Sequence, residues 1–205
     1  MTDWIIGTIT ELGYLGIFLV MLAESLFPPI PSELIIPFAG YAAANGDLSL
    51  FGVLATATLG AVIGMLPWYF AGRIFGLTRV QWLADRFGRF MAMNSDEIDI
   101  AVAWFKRYGP IIVLFGRLVP LIRTLISIPA GLSRMPLPLF LLASTAGALI
   151  WNTFLTMAGF LLHEHYHVIE VVLDPLSYIV LGLVVLLYLF RVITWKPARA
   201  EREQP

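Results

Sequence analysis

Residues 24–40 read ESLFPPIPSELIIPFAG, and this stretch decides how the chain is organised. It is apolar enough to enter a lipid bilayer, yet it carries four prolines and the carboxylates of Glu24 and Glu33. Proline removes a backbone donor and breaks a helix. Irregular backbone at membrane depth is tolerated only inside protein or beside a water-filled cavity. The stretch is therefore predicted to be a re-entrant hairpin rather than a spanning helix.

A second stretch has the same character but the opposite charge. Residues 117–131 read RLVPLIRTLISIPAG, with two prolines and the guanidinium groups of Arg117 and Arg123. The same argument predicts a second re-entrant hairpin, because a broken and charged segment cannot face lipid. The charge distribution described below predicts that the first hairpin enters from outside and the second from the cytoplasm.

The segments around these hairpins are long enough to cross a membrane. Hydrophobic residues make up 59% of the chain and charged residues 13%, about half the charged share of a soluble domain. Residues 48–72 and 136–162 contain no charge, and each exceeds the roughly 20 residues that a spanning helix needs. Residues 5–23 and 175–190 are shorter candidates. We predict an all-α integral membrane protein in which the hairpins pack among about four transmembrane helices.

The start of the chain and its lack of cysteine narrow the possibilities further. No Lys or Arg precedes the first apolar run, and no small-residue cleavage site follows it, so that run is predicted to be a retained helix rather than a signal peptide. The chain has no cysteine, which excludes disulfides, thiolate nucleophiles and Cys-ligated metals.

Basic residues indicate the orientation, because Lys and Arg concentrate in cytoplasmic loops. Six of them lie within residues 73–107 and four more follow the last apolar run, whereas residues 45–47 and 163–175 contain none. The 73–107 segment and both termini are therefore predicted to be cytoplasmic. Residues 80–105 alternate apolar and charged positions at helical spacing, which favours two helices lying on the membrane surface over a plain linker.

The two halves of the chain resemble each other. Gly-Ala-Val-Ile at 60–63 is followed by Ala-Gly at 71–72, and Gly-Ala-Leu-Ile at 147–150 is followed by Ala-Gly at 158–159. The spans that contain these motifs run in opposite directions, so we predict an inverted repeat, typical of secondary transporters. The small residues Gly60, Gly64, Gly147 and Ala148 also have a plain packing explanation. A single membrane domain is predicted, made of repeat A at about 10–76, an amphipathic segment at about 77–107, repeat B at about 108–165, and a final helix with a basic tail at about 170–205.

The four hairpin charges form the main candidate site. Aligning the repeats sets Arg117 opposite Glu24, and Arg123 opposite Glu33 to within a residue. Each charge near the bilayer centre costs roughly 3 kcal/mol, so we expect the four to pair or to face water. Two explanations stay open, salt bridges that hold the hairpins together and a functional site. For the second, guanidinium groups suit phosphate and desolvated carboxylates can carry protons.

Other candidates are weaker. Asn152 is polar within a long apolar run, so it needs a partner and is a candidate for lining a cavity. His163, His165 and His167 could bind a metal or sense pH, but a solvated loop is the favoured explanation and no metal site is predicted. No GxSxG, HExxH or P-loop motif occurs, so an enzyme is not expected.

Three motifs resemble the DedA family of bacterial inner-membrane proteins, which are related to eukaryotic lipid scramblases. They are ESLFPPIPSELIIPFAG at 24–40, GRLVPLIRTLISIPAGLSRM at 116–135 and GALIWN at 147–152, and the resemblance covers about residues 10–165. It implies two re-entrant hairpins, essential acidic residues at Glu24 and Glu33, and essential arginines at Arg117 and Arg123. Some members carry Gly-Asp where this chain has Pro-Ser-Glu at 31–33, which bears on the substrate.

The resemblance also implies a function. Family members are assigned to recycling undecaprenyl phosphate to the cytoplasmic leaflet, to maintaining membrane potential, and to proton-dependent drug or alkali resistance. The chain is accordingly expected to translocate a lipid phosphate, with Arg117 and Arg123 binding the headgroup and Glu24 or Glu33 carrying protons. A proton-coupled exporter of small cations or drugs is the alternative. Neither cofactor nor nucleic acid is expected, and the oligomeric state stays open.

Overall fold

A computed structural model describes residues 11–26, 32–91, 95–119 and 122–161, together with isolated positions between 182 and 194. All regular secondary structure in the described residues is helical. The helices are α1 (Tyr14–Leu26), α2 (Ser32–Ala44), α3 (Leu50–Met91), α4 (Ser95–Gly116), α5 (Ile122–Leu125), α6 (Ser127–Leu132) and α7 (Leu137–Leu161).

Two of the described helices are long and apolar enough to cross a membrane. They are Leu50–Trp82, which is the first part of α3, and Leu137–Leu161, which is α7. Both coincide with the charge-free runs of the sequence, so two of the about four predicted spans are present. The predicted final span and basic tail fall almost entirely outside the described residues, as do the three histidines of residues 163–167.

The first described helix differs from the uninterrupted helix that the sequence predicts at residues 5–23. The helical geometry is interrupted at Gly13, whose φ of 55° lies in the left-handed region that glycine adopts without strain. The 13 residues of α1 then extend about 20 Å, less than the roughly 30 Å of a bilayer core.

Helix α1 runs parallel to α3 along its whole length. At its start, the backbone N–H of Ser49 donates to the Tyr14 hydroxyl at 2.7 Å. At its end, the indole N–H of Trp68 donates to the Ser25 carbonyl at 3.1 Å. Since α1 and α3 both run away from the Tyr14–Ser49 end, α2 must bring the chain back to that end before α3 begins.

Two further breaks separate the apolar helices from the predicted amphipathic segment. Gly76 has a φ of 69° within α3, and α4 leaves helical geometry at Tyr108, two residues before Pro110, whose ring cannot fit a continuous helix. Between these breaks, α3 continues to Met91 and α4 begins at Ser95, the helix start that Ser-Asp-Glu predicts. Ile98 and Val102 of α4 pack against α3 and α6 in a small separate cluster.

The main apolar core is divided into two clusters. The first is formed by α1, α2, the start of α3 and Leu155 of α7. The second is formed by the later turns of α3, by α4, α6 and the start of α7, with Tyr69 and Phe140 stacked at 4.6 Å between ring centroids. Polar and charged side chains occupy the junction between the two clusters, and the candidate site lies there.

Two helix crossings bring backbones into direct contact. Where α2 crosses α7, a side chain at Gly40 would overlap the backbone of Thr156, and one at Gly159 would overlap that of Pro37. Where α6 crosses α3, a side chain at Gly131 would overlap the backbone of Tyr69, and one at Gly72 that of Ile128. Glycine is therefore required at these crossings for steric reasons, as in other closely packed membrane helices.

Substituting these glycines should destabilise the protein. Gly159→Ala and Gly131→Ala each place a methyl group against backbone atoms that cannot rotate away, and overpacking of this kind costs roughly 1–3 kcal/mol. The measurement is the apparent melting temperature in detergent. Gly182→Ala is the matched control, since nothing lies within 4 Å of that position. Equal melting temperatures for all three variants would contradict the close crossings.

Candidate functional site

A small cavity lies at the junction of the two core clusters. Its volume is about 20 Å³, enough for roughly one water molecule. Glu24 of α1, Arg117 after α4, Arg123 of α5 and Asn152 of α7 all line it, so four of the sequence-predicted residues meet at one place.

An ion pair joins the two halves of the chain across this cavity. The guanidinium Nη2 of Arg123 donates to the Oε1 carboxylate oxygen of Glu24. The Glu24 side chain is 4% exposed and that of Arg123 is 11% exposed. Removing two charges from solvent is costly, and their attraction offsets that cost only when the geometry and the remaining hydrogen bonds are good. Stability alone is therefore a weak reason for this pair.

Arg117 is buried beside the ion pair, just past the end of α4. It is 5% exposed, its Nη2 donates to the Ser127 hydroxyl at 3.0 Å, and the same nitrogen contacts the Met65 sulfur. Its Nε is buried and has no hydrogen-bond acceptor among the described residues. The described side chains around the cavity thus comprise two guanidinium groups and one carboxylate, which leaves an excess of positive charge.

Asn152 has the partner that its place in an apolar run requires. It is 2% exposed, and its side-chain amide donates to the Thr58 hydroxyl of α3 at 3.2 Å. Its backbone carbonyl accepts from the Thr156 hydroxyl at 2.7 Å. Thr58 of α3 contacts Asn152 of α7, and Ala61, later in α3, lines the cavity together with Ala148, which is earlier in α7. The two long helices therefore run antiparallel.

Glu24 forms its ion pair with Arg123, whereas the sequence alignment sets Glu24 opposite Arg117. A side chain at Gly147 would meet Arg117 Cβ, and a side chain at Gly60 would meet Met21 Cβ. The side chain of Glu33 lies outside the described residues, so its predicted partnership with Arg123 stays a prediction.

Several residues of the site were missed by the sequence reasoning. Ser127 and Met65 contact Arg117, and Thr124 and Trp151 line the cavity. The only available signal for Ser127 and Thr124 was that they are hydroxyl residues within the basic hairpin stretch. Met65 gave no signal, because a methionine in an apolar span is indistinguishable from ordinary core.

Charges buried between two apolar helices that are long enough to cross a membrane are typical of membrane transport proteins. The VTT domain family matches residues 27–161, and the chain belongs to it, which confirms the resemblance to the DedA family. No solved structure matches the chain at a significant level.

Similar proteins come from bacteria. An "alkaline phosphatase-like protein" of Lactococcus lactis subsp. lactis is 36% identical over 97% of this chain and 94% of its own length. "Undecaprenyl phosphate transporter A" of Staphylococcus aureus is 34% identical over 90% of this chain and 93% of its own length. The Bacillus subtilis protein of the same name is 28% identical over 81% of this chain and 80% of its own length. The family and the transporter names point to a transporter, whereas the name alkaline phosphatase-like protein, which a second Lactococcus lactis protein also carries, is discordant.

The ion pair can be tested through its coupling energy. Glu24→Ala or Arg123→Met alone should destabilise the protein by roughly 3–5 kcal/mol, because each removes a charged partner from a buried side chain. The double variant should lose clearly less than the sum. The measurement is the free energy of unfolding in detergent, analysed as a double-mutant cycle.

The exposed pair Gln81–Asp99, joined by a hydrogen bond of 2.7 Å, is the control cycle and should show a coupling energy near zero. Additive losses at Glu24 and Arg123 would contradict a direct interaction between them.

Proposed function

We propose that this chain translocates a lipid phosphate of the undecaprenyl phosphate type across the bacterial cytoplasmic membrane. The polyprenyl tail would stay in lipid while the phosphate headgroup binds Arg117 and Arg123. Two similar proteins carry the name undecaprenyl phosphate transporter A. The buried excess of positive charge beside the cavity supports an anionic substrate.

The proposal includes two re-entrant hairpins, at residues 24–40 and 117–131, related as an inverted repeat. The parallel course of α1 and α3 supports the first hairpin, because a helix lying parallel to the next span requires a returning arm between them. The two glycine crossings support the repeat. On the long helices, the corresponding crossing residues are 87 positions apart in the sequence, namely Tyr69 and Thr156, and Gly72 and Gly159. On the returning arms they are 91 positions apart, namely Gly40 and Gly131, and Pro37 and Ile128.

The single observation that carries the mechanism is the Glu24 carboxylate on Arg123. A carboxylate and a phosphate are alternative acceptors for the same guanidinium group. Protonation of Glu24 would weaken its hold on Arg123 and leave that cation to the headgroup. Departure of the headgroup would favour deprotonation of Glu24 and closure of the pair. Because the cavity holds about one water, the headgroup can enter only if Glu24 moves away from Arg123.

The remaining expectations complete the proposal. The basic segment 73–107 and the C-terminus would face the cytoplasm, following the distribution of Lys and Arg. The Tyr14 end of α1, which lies beside Ser49, would then be on the outer side, in contrast to the cytoplasmic N-terminus that the sequence predicts. Glu33 would be a second proton carrier close to Arg123. Neither a cofactor nor a metal has a part in this mechanism.

A proton-coupled exporter of small cations is the alternative, and it would use Glu24 to bind the substrate. Among the described side chains that line the cavity, Arg123 pairs with that carboxylate and Arg117 adds a second positive charge, and these described charges favour an anion over a cation. Thermal protection distinguishes the two functions: undecaprenyl phosphate protects the lipid-phosphate translocase, and a cationic drug protects the exporter.

Neutralising or reversing the arginines should abolish transport. Arg123→Gln, Arg117→Gln and Arg117→Glu should reduce undecaprenyl phosphate movement in proteoliposomes at least about 100-fold, since each removes a charge-assisted contact of the headgroup. Size-exclusion profiles in detergent verify that each variant is folded. Arg79→Gln, a change at an exposed position, should transport at the wild-type rate. Transport by folded Arg117→Glu at the wild-type rate would show that the mechanism is wrong.

Glu24→Gln should weaken the coupling of transport to protons. Glutamine keeps the shape of the side chain but cannot lose a proton, so the flux of the variant should depend less on a pH gradient than that of wild type. The comparison is the flux at equal and at unequal internal and external pH. Glu11→Gln, at an exposed position, should keep the wild-type pH dependence. An unchanged pH dependence in Glu24→Gln would remove Glu24 from the coupling step.

A further inference from the structure

The cavity contains hydrogen-bond donors for which the described residues provide no acceptor. The indole Nε1 of Trp151 and the Nε of Arg117 are both buried without a hydrogen-bond partner among the described residues, and both side chains line the cavity. Indole and guanidinium groups only donate hydrogen bonds, so the missing partner must be an acceptor. Buried donors without acceptors are costly and rare in native proteins, which makes two of them at one cavity informative.

A second tryptophan in the same fold shows the contrast. Trp68 of α3 donates its indole N–H to the Ser25 carbonyl at 3.1 Å, and so the protein itself supplies the acceptor. Trp151 of α7 has no such acceptor, although Trp151 packs beside Phe154 and against the first core cluster. Packing accounts for the ring of Trp151, but it does not account for the buried N–H group.

We propose that Trp151 is a headgroup-binding residue whose indole N–H donates to a phosphate oxygen, completing a cradle with Arg117 and Arg123. This inference rests on the proposed function and specifies its substrate class as a phosphomonoester lipid. A monoester presents three non-bridging oxygens, whereas the diester of an ordinary phospholipid presents two. The fork of Arg123 engages up to two oxygens, and the Nε of Arg117 and the Nε1 of Trp151 supply donors for a third. In the closed cavity, a single water can occupy the place of that third oxygen.

The test compares Trp151→Phe with Trp68→Phe in the full-length protein in detergent. Each substitution removes one indole N–H and similar ring volume, but only Trp68 has an acceptor within the protein. Dissociation constants are measured for undecaprenyl phosphate, for the uncharged alcohol undecaprenol, for the diester lipid phosphatidylglycerol and for inorganic phosphate. Trp151→Phe should raise the dissociation constant for undecaprenyl phosphate about tenfold or more and leave phosphatidylglycerol binding unchanged. Trp68→Phe should lower the melting temperature and keep the dissociation constant within about twofold of wild type.

A direct readout follows the indole groups themselves. The chain has six tryptophans, so ¹⁵N-indole labelling gives six signals, and the one lost in Trp151→Phe identifies Trp151. That signal should move downfield on addition of undecaprenyl phosphate, as expected for a newly formed hydrogen bond to an anion, and should stay in place on addition of undecaprenol.

The outcomes separate this inference from the proposed function. If wild type binds undecaprenyl phosphate and Trp151→Phe binds it equally well, or the Trp151 signal does not move, the inference is overturned while the proposed function stands. Equal binding of inorganic phosphate and undecaprenyl phosphate by wild type would overturn the lipid assignment in favour of a free anion. Absence of binding of any phosphate species to wild type would overturn the proposed function and the inference together.

Discussion

Two guanidinium groups buried between apolar helices are the constraint on which the arrangement depends. A guanidinium group that is buried loses its hydration, so the burial of Arg117 and of Arg123 is costly. Each therefore needs acceptors brought to it by other parts of the chain. Arg123 receives the carboxylate of Glu24 from α1, and Arg117 receives the Ser127 hydroxyl and the Met65 sulfur. These acceptors and both guanidinium groups lie together at the junction of the two core clusters.

Close backbone packing makes this junction possible. Two helices can approach until their backbones touch only where the residues between them have no Cβ atom. The residues without a Cβ atom at the two crossings are Gly40, Gly159, Gly72 and Gly131. Each crossing fixes a short helix against a long one, α2 on α7 and α6 on α3. Helix α2 follows the helix that carries Glu24, and α6 follows the helix that carries Arg123, so the crossings lie close in sequence to both charged residues. In the proposed inverted repeat, the short helix of each half packs on the long helix of the other half, as the symmetry requires.

The sequence predicted the composition of the site better than its register. Charges in apolar, proline-broken segments can be recognised locally, because the cost of burying them is a property of the residue and its neighbours. The meeting of Glu24, Arg117, Arg123 and Asn152 follows from that cost. Which arginine meets Glu24 depends instead on contacts between distant segments. Arg117 lies against Gly147 and Met21 against Gly60, and the ion pair itself joins residues 99 positions apart. The break at Gly13 and the orphan indole of Trp151 have the same non-local origin, since glycine and tryptophan are also ordinary residues of membrane helices.

The ion pair between Glu24 and Arg123 affects both the selectivity of transport and the energy needed to open the cavity. A translocase that left Arg117 and Arg123 exposed to a water-filled cavity would offer any small anion a path, and a pair bound too tightly would never open for the headgroup. The Glu24 carboxylate resolves this conflict, because it competes with the substrate for the guanidinium group of Arg123. It leaves the Nε of Arg117 and the indole N–H of Trp151 without acceptors among the described residues. In the proposed mechanism, opening exchanges one charge-assisted contact for several, because a phosphate headgroup offers more acceptor oxygens than the Glu24 carboxylate. A small anion can also make these contacts, but it lacks the polyprenyl tail that would anchor the proposed substrate in the bilayer.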